Sequence, residues 1–245
     1  MLSVRASRAA ALAGVLMLPL GAPPWAQTPE STRLAILRDI KSDYSMGLAD
    51  FFKQNFMAMG GEIVSDESYS QGDKDFNAQL TSIKGKNPEA VFVPGYYTVV
   101  GLIARQARKL GITGPLMGGD GWDSDKLWEI GGEALNGCFF SNHYSVNDPS
   151  PAIQNFVSVF RTKYGGETPD AMAALGYDAA KVLFDAIRRA GSDKPDSVRM
   201  ALTQVQGYSG VTGSITLNEN RDAVKPAVVL EVKDGKFAFK ETVAP

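Results

Sequence analysis

Residues able to do chemistry gather at the ends of short apolar runs in this chain. Asp120 stands in Gly118-Gly119-Asp120-Gly121-Trp122, directly after Leu116-Met117. A carboxylate held in such a glycine loop accepts charge-assisted hydrogen bonds from an ammonium group. The alternative is an acid that merely serves a tight turn. Tyr44, closing Asp39-Ile40-Lys41-Ser42-Asp43-Tyr44, and Tyr96, in Gly95-Tyr96-Tyr97, each add a hydroxyl and a ring face. That pairing suits a ligand with a charged head and an apolar body, with ordinary surface tyrosine as the alternative. Tyr97 competes with Tyr96, and one of the two is expected to point inward. Trp122 would either cover an aliphatic tail or pack in the core. His143 follows another apolar run, Gly137-Cys138-Phe139-Phe140, and without a second imidazole it reads as structural.

Several other chemistries are excluded. Ser42, Ser45 and Ser68 lie near acids, but none has the Gly-x-Ser-x-Gly spacing of a nucleophile elbow. The Gly118–Gly121 loop lacks dinucleotide or phosphate-loop spacing, and no Lys-Ser/Thr follows it. One cysteine and one histidine exclude an intrachain disulfide framework and any multi-cysteine or His-rich metal site. A formal net charge of -2 shows no basic surface for nucleic acid. The reading is a binding protein, not an enzyme, with no metal and no cofactor.

The elements that must position these residues alternate from Arg33 onward. Leu34–Leu37, Ile63-Val64, Ala90–Val93, Leu116-Met117 and Gly137–Phe140 read as buried strands. Between them, Met46–Met59, Asp75–Ile83, Val99–Leu110 and Asp123–Ile130 carry apolar residues at helical spacing. Asp123 or Ser124 is the expected N-cap of the last. Repeated βαβ units imply a parallel sheet with helices on both faces. Ligands then bind beyond the carboxyl ends of the strands, where all the residues singled out above lie. After Asn147-Asp148-Pro149 the pattern changes to helices over Pro151–Tyr164, Thr168–Ala190 and Asp196–Val205. Strands follow at Val211–Leu217, Ala227–Val232 and Phe237–Lys240, the last two joined by a turn at Asp234-Gly235.

Residues 1–26 read as an export signal. Arg5 and Arg8 precede an apolar run, Ala9–Leu20, too short for the ~20 residues of a bilayer-spanning helix. Cleavage is expected after Ala26, with Ala22 as the alternative. No cysteine lies near the cut to carry a lipid. The mature protein is expected to be periplasmic and not lipid-anchored.

These motifs in order, Asp43-Tyr44-Ser45-Met46-Gly47-Leu48-Ala49, Gly72-Asp73-Lys74-Asp75-Phe76, Pro94-Gly95-Tyr96-Tyr97, Arg105-Gln106-Ala107-Arg108, Gly118-Gly119-Asp120-Gly121 and Gly176-Tyr177-Asp178-Ala179, carry a resemblance. The chain from Arg33 to its C-terminus resembles the branched-chain amino acid type of periplasmic substrate-binding protein, which serves ATP-driven importers and has the type I two-lobe fold. The resemblance implies an α/β fold: a parallel-sheet βα lobe with trailing crossover helices and C-terminal strands. It implies that Tyr44 and Tyr96 touch the ligand, that Asp120 receives its amine, and that Tyr177 lines the cleft near the hinge. An amino acid or amide as ligand and a membrane permease as partner follow in the same way.

In that family a further βα block precedes the strand matching Leu34–Leu37. It builds the first lobe and carries the groups that grip the ligand carboxylate. Here residues 33–147 correspond to the second lobe, 148–208 to crossover helices made for the first, and 209–245 to C-terminal strands and the hinge return. Stranding roughly 600 Å² of apolar helix surface would forfeit about 15 kcal/mol at ~25 cal/mol per Å². A whole domain is stable by only ~5–15 kcal/mol. The helices are therefore expected to repack on this lobe, to be covered by a chain supplying the first lobe, or to be poorly ordered. A non-transport interaction module, or a non-functional truncated product, is the alternative reading.

Overall fold

The computed structural model describes residues 32–245; the expected export signal lies outside them. Five parallel strands build the main sheet: β1 (Arg33–Asp39), β2 (Glu62–Tyr69), β3 (Ala90–Phe92), β4 (Leu116–Gly118) and β5 (Cys138–Asn142). Four helices connect them: α1 (Asp43–Ala58), α2 (Asn77–Gly85), α3 (Tyr97–Lys109) and α4 (Asp125–Gly131). Most of these strands are short and apolar because both faces of the sheet are covered. On one face Phe52 and Phe56 of α1 bury against Leu34, Ile36, Phe92 and Met117. On the other, Leu80, Ile83, Val100, Ile103 and Leu127 close over Ala35, Leu37, Val91, Leu116 and Phe140. The α/β lobe expected from the alternation is present.

The later helices are α5 (Pro151–Lys163), α6 (Ala171–Ala190) and α7 (Pro195–Leu202). A small antiparallel sheet follows, of β6 (Tyr208–Gly210), β7 (Gly213–Leu217) and β8 (Ala223–Val224). The chain then returns to the main sheet. β9 (Ala227–Lys233) lies antiparallel beside β5, with Cys138 opposite Val232, and β10 (Lys236–Val243) forms the outer edge. The final order is β10-β9-β5-β4-β3-β1-β2.

The trailing helices make small cores of their own: Tyr144, Ile153, Phe156 and Ala174; Val182, Val205 and Ile215; Ala186, Val198 and Ala201. Buried Asp178 on α6 ties this region together, accepting from the Val211 and Thr212 amides at 2.8 and 2.7 Å. The buried side of α6 is Ala171, Ala174, Asp178, Val182 and Ala186. Met172, Tyr177, Leu183 and Phe184 stay exposed. The apolar spacing of α6 in the sequence thus splits between a face that packs and one that does not.

Candidate functional site

Tyr44 is placed by the start of α1. Ser42 caps the helix, its hydroxyl accepting from the Ser45 amide at 3.2 Å, and the Ser45 hydroxyl accepts from the Asp39 amide at 2.9 Å. The helix therefore begins at Asp43, three residues before the expected Met46, because the cap and not the apolar stripe sets its first turn. Tyr44 stands on that turn, next to the end of β1. Tyr96 takes the cap position of α3, and its ring stacks on that of Tyr44 with centroids 5.2 Å apart. Tyr97 packs instead against the main core.

Asp120 opens a single 3₁₀ turn, Asp120–Trp122, immediately after β4. The Tyr44 hydroxyl donates to Asp120 Oδ1 at 2.9 Å and accepts from the Gly121 amide at 3.1 Å. Asp120 Oδ2 meets Nε2 of His143 at 2.8 Å. Burial first, and then the charge of Asp120, hold the Tyr44 phenol well above its usual range. It remains a neutral O–H donor. The loop glycines matter here for close approach. A Cβ on Gly119 would stand 2.6 Å from the Tyr44 hydroxyl, and one on Gly121 2.8 Å from the Gly95 carbonyl oxygen. Side chains there would push the aromatic pair away from the carboxylate.

Three expected residues thus come together: Tyr44, Tyr96 and Asp120. Trp122 takes its core alternative. Its ring is fully buried, its indole N–H donates to the Val93 carbonyl at 3.1 Å, and it underpins the loop from below. Tyr177 sits elsewhere, half-exposed on α6 with its ring 5.1 Å from that of Phe156. Ser124, not Asp123, caps α4. Asp123 turns toward α6, accepting from the Ala171 amide at 3.0 Å, and burial pushes its carboxyl above the usual range.

His143 is the member of the cluster that the sequence reading set aside. The strand order brings it to Asp120: both residues follow neighbouring strands, and β4 pairs with β5 through Gly118 and Phe140. Chemically the cluster is a carboxylate flanked by a phenol and an imidazole, with an exposed aromatic ring, Tyr96, at its mouth. It can accept from a cationic head group and lay an apolar body against a ring. Among the described residues no group of three His, Cys, Asp or Glu side chains converges to hold a metal ion.

The family model described as periplasmic binding protein matches residues 17–236. A Leu/Ile/Val-binding protein homologue of Brucella melitensis is 31% identical over 85% of this chain and 56% of its own length. The Leu/Ile/Val-binding protein BraC3 of Rhizobium johnstonii is 32% identical over 78% of this chain and 51% of its own. Among solved structures, the leucine binding protein LivK of Thermotoga maritima superposes with a TM-score of 0.88 at 40% identity, over 98% of this chain and 66% of that one. The branched-chain amino acid transporter substrate binding protein LivJ of Streptococcus pneumoniae, in complex with isoleucine, gives 0.77 at 32% identity, over 90% and 62%. The chain spans about half the length of these curated relatives.

Proposed function

The chain belongs to the periplasmic binding protein family, and from that premise we propose that it is the exported substrate-binding component of an ABC importer for branched-chain-type amino acids or related small amides. Its partners are then a small-molecule ligand and a membrane permease. Residues 1–26 direct export and are removed, 33–147 form the ligand-binding lobe, 148–208 are the crossover helices, and 209–245 the C-terminal strands and hinge return. Asp120 receives the ligand ammonium. Tyr44 and Tyr96 hold the ligand body, Trp122 supports the loop beneath them, and Tyr177 serves the cleft near the hinge. The relatives' names support this reading, since isoleucine is the ligand of the pneumococcal structure.

The observation that carries the proposal is the setting of Asp120 at the C-terminal edge of the parallel sheet, its oxygens facing a neutral phenol and an imidazole beside a stacked aromatic pair. Closure between two lobes normally excludes water and completes a ligand's contacts. Affinity at this lobe alone is therefore low. The test is a thermal melt of the full chain with a panel of aliphatic and aromatic amino acids, amides and urea. A transition raised by an aliphatic amino acid in the wild type, and not in Asp120→Asn, supports the reading. A transition no ligand moves counts against it.

A second reading rests on α6. Met172, Tyr177, Leu183 and Phe184 form an exposed apolar side of the sort that marks interaction surfaces. In that reading the chain docks through α6 on another polypeptide, one supplying the family's other lobe being the occupant the resemblance names.

A further inference from the structure

Resting on the reading of Asp120 as the ammonium acceptor, we infer that His143 is the positioning residue of that acceptor: its Nε2–H donor fixes the carboxylate for an incoming amine. A carboxylate only accepts, so at 2.8 Å the proton between Asp120 and His143 is carried on Nε2. Tyr44 holds the other oxygen at 2.9 Å. Three elements therefore fix the plane of one carboxylate: the first turn of α1, the loop after β4 and the loop after β5. Held in that plane, the carboxylate meets an ammonium arriving at the rim in one orientation.

The pair is not sealed in the core, with side chains 12% and 21% exposed, so a ligand at the rim meets it directly. Beside it, Lys225 Nζ donates to the His143 carbonyl at 3.4 Å, and Tyr44 behind the carboxylate stays neutral for the reasons given above.

The chain has one histidine, so untagged protein labelled at its imidazole nitrogens gives one unassignable-by-mistake pair of ring signals in NMR. At about pH 8 the wild type is expected to show the Nε2–H tautomer, and Asp120→Asn a mixture. L-leucine should shift these signals in the wild type and leave them unmoved in Asp120→Asn. His143→Phe removes the donor and should weaken leucine about tenfold, while His143→Gln keeps an N–H donor and should restore most of that loss. 4-Methylpentanoate, which has no ammonium, should bind alike to the wild type and both variants. A thermal melt confirms that each variant folds. Wild-type leucine affinity in folded His143→Phe, a His143→Gln no tighter than His143→Phe, or equal losses for leucine and 4-methylpentanoate overturns the inference while leaving the amine reading intact if Asp120→Asn has lost leucine. Absent leucine binding in the wild type, or equal binding in Asp120→Asn, overturns the amine reading and this inference with it.

Discussion

The Tyr44 hydroxyl bridges the side chain and the backbone of one loop, donating to Asp120 Oδ1 at 2.9 Å while accepting from the Gly121 amide at 3.1 Å. One phenol thereby joins the start of α1 to the turn after β4, two elements 76 residues apart in sequence. Both of its roles need a neutral hydroxyl. Burial and the neighbouring Asp120 charge ensure one by raising the phenol's pKa.

Tyr44→Phe is therefore expected to cost stability beyond its small loss of volume. It withdraws a donor from Asp120 and an acceptor from Gly121 in a partly buried site, a loss of about 1–2 kcal/mol. Urea denaturation of the two proteins measures it. An unchanged midpoint would mean that solvent replaces both bonds and that the bridge does not organise the loop.

The aromatic pair makes a separate demand on the glycine loop. In Gly121→Ala the new methyl would lie 2.8 Å from the Gly95 carbonyl oxygen, 3.2 Å from the Tyr96 ring and 3.3 Å from the Tyr44 ring. The first of these is backbone and cannot swing aside. A loss of about 1–3 kcal/mol is expected from such overpacking. Near-ultraviolet circular dichroism should change as well, because the Tyr44–Tyr96 stack has to open. Full retention of both signals would show that the loop shifts without strain.

The alternation of short apolar runs with helical spacings was enough to read the parallel lobe, because its inner strands are buried on both faces. Edge strand β2 is longer than its apolar pair Ile63-Val64 announces. Ser65, Asp66 and Glu67 continue it, and their polarity suits a half-exposed edge. β6 escaped notice because a three-residue strand ending in glycine has no period to read. The placement of β9 beside β5 depends on a pairing between Cys138 and Val232 that no local pattern encodes. At the site, Asp120, Tyr44 and Tyr96 were legible as residue types at strand ends. The partnership of His143 was not, since a lone histidine has no spacing motif and only the order of strands brings it to Asp120.

Asp123 gives a pH prediction with a definite sign. Burial, ahead of its other influences, raises its folded-state pKa above the ordinary carboxylate value, while the Ala171 amide and Asn142 partly oppose the shift. The folded state therefore holds this proton to higher pH than the unfolded chain does. Stability at this site is greatest when the carboxyl is protonated, and it declines as pH rises from about 4 through the folded-state pKa. Asp123→Asn can still accept from Ala171 and cannot ionise. Its stability relative to the wild type should thus improve with rising pH, as read from urea melts across the acid range. A constant difference would mean that the Ala171 and Asn142 bonds fully offset the burial.

The exposed side of α6 separates a packed helix from a docking one. Met172 is 54% exposed and Phe184 61%, whereas Ala174 and Ala186 on the opposite side are fully buried. If nothing within the chain covers that side, Met172→Lys and Phe184→Lys should each change folding stability by no more than about 0.5 kcal/mol. The same substitutions should lower any self-association, because they break the one apolar stretch on that helix able to bury a second surface. Sedimentation velocity at several concentrations, beside a urea melt, reads both effects. Losses of about 2 kcal/mol or more would place these side chains in a folded interior that α6 does not have in this structure. A concentration dependence that survives both charges would move the association surface away from α6.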